Sequence, residues 1–204
     1  PANEGLSELA LAELPRSGVQ NPVTAVLLNY RAYDTLLELG VLLLALTAVW
    51  TMAAADVPTD GVARGPVPEG LARIATPVLV LLAGYFLWIG SSRPGGAFQA
   101  GALLGGAGVL LLLAYGPRRR LPPEWLARAG AALGLGVFSA VALAATRSGQ
   151  LLEYPEGTAG GLILLVEAAA AVSIGLTLSG LFVGGRPPAP PGGRARDPGA
   201  ERAP

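Results

Sequence analysis

Five apolar stretches, each near the length of a bilayer-crossing helix, leave this chain few folds to choose from. Read with the breakers between them, they give helices at about residues 21–55, 74–90, 98–115, 124–145 and 158–183. About 20 apolar residues in a helix span a hydrocarbon core of about 30 Å. Backbone groups in that medium must pair within the segment, which favours helices over open sheets. The pattern predicts an all-α integral membrane protein with about five transmembrane helices. Composition agrees: 14% of residues are charged, against about 25% in a soluble domain, and mean hydropathy is +0.53.

The segments between the helices organise the chain. Residues 1–20 are polar enough to lie outside the bilayer, with Leu6, Leu9, Leu11 and Leu14 suggesting a short surface helix broken at Pro15. Pro58, Gly61, Pro66 and Pro68 mark a loop over 56–72. The second helix then starts near Ile74, with Pro77 in its first turn, where a missing N–H costs little. Residues 73–183 form a four-helix domain, and the Pro, Gly, Arg and Ala of 184–204 read as a disordered tail. Pro1 to Glu4 lacks a basic segment leading into an apolar one, so no cleavable signal is expected.

All fourteen basic residues are arginine. With five crossings, ten of them (64, 73, 118–120, 128, 186, 194, 196 and 202) share one side with the C-terminus. Arg16, Arg93 and Arg147 fall on the other side. That bias predicts an external N-terminus and a cytoplasmic C-terminal tail.

Cysteine and histidine are both absent. Disulfides, thiolate metal sites, histidine-ligated haem and Ser/His or Cys/His catalysis go with them. No catalytic residue, cofactor or metal site is expected. A net charge of zero gives no argument for nucleic acid, and no phosphate-binding glycine motif occurs. Carboxylates and arginine carry whatever chemistry the chain has.

Those groups concentrate at Tyr30-Arg31-Ala32-Tyr33-Asp34-Thr35-Leu36-Leu37-Glu38. On a helix Arg31, Asp34 and Glu38 are spaced three and four apart and share one face, with Thr35 beside them. The apolar run Leu39 to Trp50 follows at once. A single helix over 21–55 would be about 50 Å long at 1.5 Å per residue, more than the bilayer needs. Its polar end either protrudes, or the helix bends and that end is buried among partners. A carboxylate set between an apolar medium and a neighbouring guanidinium can load and release a proton or hold Na⁺. The plainer alternative is an interfacial ion pair of Arg31 with Asp34 that orients the helix.

Glu167 is a carboxylate deep inside the last apolar run. It is a second ion-path candidate, or else the partner of Arg31 or of another subunit. Pro94-Gly95-Gly96 reads as a tight turn between helices, and Gly101 with Gly105 makes a G-x-x-x-G packing face.

Two blocks resemble known families. Asn21-Pro22-Val23 through Tyr30-Arg31-Ala32-Tyr33-Asp34-Thr35-Leu36-Leu37-Glu38 resembles the C-terminal end of the A subunit of Mrp-type multisubunit cation/proton antiporters, and the E subunit of membrane-bound hydrogenases. Arg31, Asp34, Thr35, Leu36 and Glu38 match that pattern, whereas Asn29, Ala32 and Leu37 depart from it. Gly90-Ser91-Ser92-Arg93-Pro94-Gly95-Gly96-Ala97-Phe98-Gln99-Ala100-Gly101 resembles the B subunit signature. Gly90, Pro94, Gly95, Gly96, Phe98 and Gly101 match, while Ser91 stands where the family has histidine.

The resemblance implies a fusion of the two pieces over about residues 21–182. It implies a non-catalytic subunit in a plasma or inner membrane, contributing to a Na⁺/H⁺ path beside other antiporter subunits and the lipid bilayer. The related alternatives are a structural adaptor, or a subunit of the membrane arm of a complex-I-like or hydrogenase-type pump.

Overall fold

The computed structural model describes residues 5–52, 65–116, 123–146, 154 and 157–184. Among these residues all regular secondary structure is helical, with no strand. A short helix α1 (Leu6–Ala12) leads into a 3₁₀ turn at Leu14–Arg16, where Pro15 needs no backbone donor. A single turn of helix, α2 (Pro22–Ala25), then runs into a π turn at Val26–Tyr30. The five long helices are α3 (Ala32–Met52), α4 (Pro66–Ile89), α5 (Ala97–Tyr115), α6 (Glu124–Thr146) and α7 (Ala159–Val183). All five are long and apolar enough to cross a membrane, as expected from the sequence.

Three boundaries differ from the expectation. The segment 21–55 is not one helix: the chain leaves helical geometry at Arg31 (φ −126°, ψ 35°), while the polar end beyond it stays exposed on this chain. The second long helix begins at Pro66, two turns before Ile74. Pro66 and Pro68 had read as breakers, but proline is at home in a first helical turn, where the N–H has no acceptor. Pro77 consequently lies inside α4, not in its first turn. The basic run Arg118–Arg120, the polar loop around Arg147 and the tail beyond Gly184 lie outside the described residues.

α7 is the centre of the bundle, and more than half of its span is buried by the others. Small residues set how closely the neighbours approach. Gly101 and Gly105 of α5 receive Ile174 and Leu178 of α7, and Gly175 receives Leu104 in return. Gly180 receives Leu46 of α3. Rising numbers meet rising numbers between α5 and α7, and on α3 Leu42 lies beside Ile174 and Leu178 while Leu46 meets Gly180, so α3, α5 and α7 run parallel. Gly130 and Gly134 of α6 meet Leu176 and Ala170 in the opposite sense, so α6 is antiparallel. This alternation is what five successive crossings require.

The residues before α3 fold over the end of the bundle where α4 turns into α5. Val19, Ala25 and Leu28 join Phe138, Ala142, Ile163 and Val166 in one buried cluster there. Tyr33, Tyr85 and Trp88 are exposed near this end and Trp125 near the other. Aromatic side chains of this kind mark the two membrane–water interfaces. α4 is the least covered helix, and Leu71, Ile74, Leu81 and Trp88 form part of its bare apolar face.

Candidate functional site

Asn21 ties the two singled-out blocks together. Its Nδ2 donates to the carbonyls of Gly90 (3.1 Å) and Arg93 (2.8 Å), while its Oδ1 accepts from the Val23 N–H at the start of α2. Thr24 Oγ1 donates to the same Gly90 carbonyl at 2.6 Å. The backbone N–H groups of Gln20 and Asn21 both reach the Ser91 carbonyl. Five bonds thus staple the N-terminal segment to the α4–α5 turn, and Asn21 is buried as it makes them. Sequence reasoning passed over this role. The one signal was Asn before Pro, an N-cap followed by proline at the first helical position.

Beyond this anchor the helix breaks at Arg31. The Arg31 N–H reaches back five residues to the Val26 carbonyl, and the Asp34 N–H takes the Arg31 carbonyl. Thr35 Oγ1 fills the gap in the ladder by donating to the Leu27 carbonyl at 2.7 Å. π turns of this sort occur often at functional sites, because they re-aim side chains without ending the helix. Thr35 is buried in this bond and does not line the surface formed by its charged neighbours.

Arg31, Asp34 and Glu38 do come together. With Leu37, Val41 and Leu42 of α3, Phe98 and Ala102 of α5, and Ile174 and Leu178 of α7, they line an open groove of about 700 Å³. Arg31 and Asp34 form an ion pair across one turn. Glu38 has no ion pair among the described residues and is exposed. Six residues beyond Ala32, it lies about 9 Å into a helix of about 30 Å.

Glu167 is not in the groove and does not pair with Arg31. It is 4% exposed, and its carboxylate accepts the backbone N–H of Ala97 at the start of α5. Oε1 lies 2.6 Å from where a Cβ on Gly96 would stand, and Gly96 has a positive φ of 111°. Gly95 and Gly90 are equally tight against Phe86 and Gly96 backbone, so this turn is a structural element. No group of three or more acidic residues able to hold a metal occurs among the described residues.

Two tyrosines flank the capped end. Burial pushes the Tyr154 phenol up to about 12, and its hydroxyl has no hydrogen-bond partner among the described residues. Tyr30 is raised by burial first and then by the charge of Glu13, with a hydrogen bond from Ser17 acting against both.

Residues 67–185 match the family model described as a domain related to the MnhB subunit of Na⁺/H⁺ antiporter, over more than half of the chain. The chain belongs to this MnhB-related family. A search of curated proteins returned no match. Among solved structures, a chain of the membrane-bound sulfane sulfur reductase, an archaeal respiratory membrane complex, superposes with TM-score 0.76 at 23% identity. That superposition covers 90% of this chain and 86% of the other. A chain of the Mrp complex from Dietzia sp. DQ12-45-1b superposes with TM-score 0.66 at 28% identity, covering 97% of this chain but 24% of that one.

The MnhB-related domain thus comprises α4 to α7, including the glycine turn and Glu167. The charged block at 31–38 precedes it, and it is the fold that lays this block against Phe98 and Ile174 of the domain.

Proposed function

We propose that this multi-pass protein is a non-catalytic subunit of a multisubunit cation/proton antiporter, and that the Glu38 groove forms part of its ion path. The observation that carries this reading is Glu38 itself, an exposed carboxylate nearly two turns into a helix long and apolar enough to cross a membrane, and unpaired among the described residues. Facing lipid it would cost about 2.5–3.5 kcal/mol. A neighbouring subunit or a file of water must cover it, which makes the groove one wall of a site completed at an interface. Asp34 and Arg31 belong to the same wall, Arg31 tuning the carboxylates because a guanidinium keeps its charge. The ions are H⁺ and Na⁺.

The family match supports the antiporter assignment, and the 97% coverage by one chain of an Mrp complex supports reading residues 21–55 as continuous with the larger subunit. The groove end faces outward in this proposal, because Arg73 and Arg128 of α4 and α6 lie toward the other end. A redox-driven membrane complex is the second reading, favoured by the superposition over most of a respiratory-complex chain. Co-purification separates the two: redox-centre subunits would be recovered with this chain only in the second case.

Glu38→Gln in the assembled complex tests the groove. Antiport is expected to fall about tenfold or more with assembly intact, as when a proton-transferring group is removed. Unchanged antiport with an unchanged pH profile would sink the ion-path role.

A further inference from the structure

Glu167 and the glycine turn are 71 positions apart, and nothing in the antiport reading uses either. The fold brings them into contact. α5 starts at Gly96, which has no side chain with which to cap its own helix. The first N–H of that helix, from Ala97, instead points at the Glu167 carboxylate, which arrives from the parallel helix α7. Helix N-termini carry partial positive charge and unpaired donors, so an acidic group is the natural partner there. The approach is close enough that Gly96 admits no Cβ: one would stand 2.6 Å from Oε1, on backbone with φ +111°. Phe98, one residue past Ala97, lines the Glu38 groove.

We propose that Glu167 is a cross-helix N-cap, a positioning residue that fixes the start of α5 and, through it, the Phe98 wall of the groove. Its carboxylate holds a backbone donor and carries no ion. Five observations meet on this reading. They are the depth of burial, the bond to Ala97, the glycine at 96, the absence of any side-chain cap on α5, and the lack of an ion pair to Glu167 among the described residues. The link to the groove rests on the ion-path reading, but the cap does not.

The test measures thermal stability and antiport of the assembled complex for Glu167→Gln and Glu167→Leu. A glutamine Oε1 can still accept from Ala97 but cannot carry a proton. Glu167→Gln should therefore assemble, with a midpoint near that of the parent and antiport within about twofold. Glu167→Leu removes the acceptor and should lower the midpoint by several degrees or abolish assembly. Gly96→Ala should be equally damaging, and Gly96→Ala with Glu167→Asp should recover part of the loss, because the shorter acid withdraws from the new methyl.

Loss of antiport in an assembled, thermally normal Glu167→Gln complex would overturn the proposal and make Glu167 a proton carrier. Failure of that variant to assemble, or a normal midpoint for Glu167→Leu or Gly96→Ala, would overturn it as well. If Glu38→Gln transports normally while the Glu167 and Gly96 variants behave as expected, the cap stands and the groove reading falls.

Discussion

Gly101→Ala and Gly106→Ala make the same chemical change five residues apart on α5, and the structure requires opposite outcomes. A Cβ at position 101 would lie 2.7 Å from both Cβ and Cγ2 of Ile174, and 3.1 Å from the Ala171 carbonyl oxygen. Carbon atoms in good contact sit about 3.5–4.0 Å apart, so about 1 Å must be opened. Ile174 cannot give way by a rotamer change, because its Cβ moves only with the backbone and β-branched χ1 is stiff in a helix. α5 and α7 must separate, at the usual overpacking cost of about 1–3 kcal/mol. At position 106 nothing lies within 4 Å. There alanine simply replaces the poorer helix former and stabilises by about 0.5–1 kcal/mol. The two variants should differ by roughly 1.5–4 kcal/mol in denaturant or thermal unfolding of the detergent-solubilised protein. A Gly101→Ala variant as stable as Gly106→Ala would refute the parallel α5–α7 contact, and with it the place of α7 at the centre of the bundle.

Asn21→Ala removes the bonds to Gly90 and Arg93 and leaves the Arg93 carbonyl without that donor. We expect a loss of about 1–2 kcal/mol, seen as faster protease cleavage between residues 12 and 25, and cleavage at the parental rate would contradict it. Thr35→Val keeps the shape but deprives the Leu27 carbonyl of its partner. It should destabilise by about 1 kcal/mol and speed amide exchange over residues 26–36, whereas unaltered exchange would mean that the π turn does not depend on this hydroxyl.

How much of this was legible in the sequence depends on the range of the interaction. The five spans were readable because length and apolarity are local properties, and the observed boundaries match within a residue or two except at the start of α4 and in the first segment, where 21–55 is broken and α3 begins at Ala32. At α4 the rule that proline breaks helices was applied to Pro66 and Pro68, positions where proline starts one. The G-x-x-x-G at Gly101 and Gly105 was also readable, and the structure assigns it a partner helix. The break at Arg31 left no local trace. Residues 26–31 contain neither glycine nor proline, and the break is flanked by the Asn21 staple on one side and the Thr35 hydroxyl bond on the other.

The two acidic candidates in the apolar spans show why residue type alone assigned them the same ion-path hypothesis. An intramembrane carboxylate must find something to offset its charge, and what it finds decides its role. Glu167 finds a helix terminus within its own chain, a fixed partner that serves architecture. Glu38 finds nothing among the described residues, although Arg31 lies in the same groove, because that guanidinium is already engaged by Asp34. Local spacing explains that preference: Asp34 lies one turn from Arg31, whereas Glu38 lies two turns away. The Arg31–Asp34 pair therefore leaves Glu38 without an ion pair among the described residues, in a wall that is otherwise apolar. In the proposed ion path, Glu38 is thus the residue through which this groove meets the assembly around it.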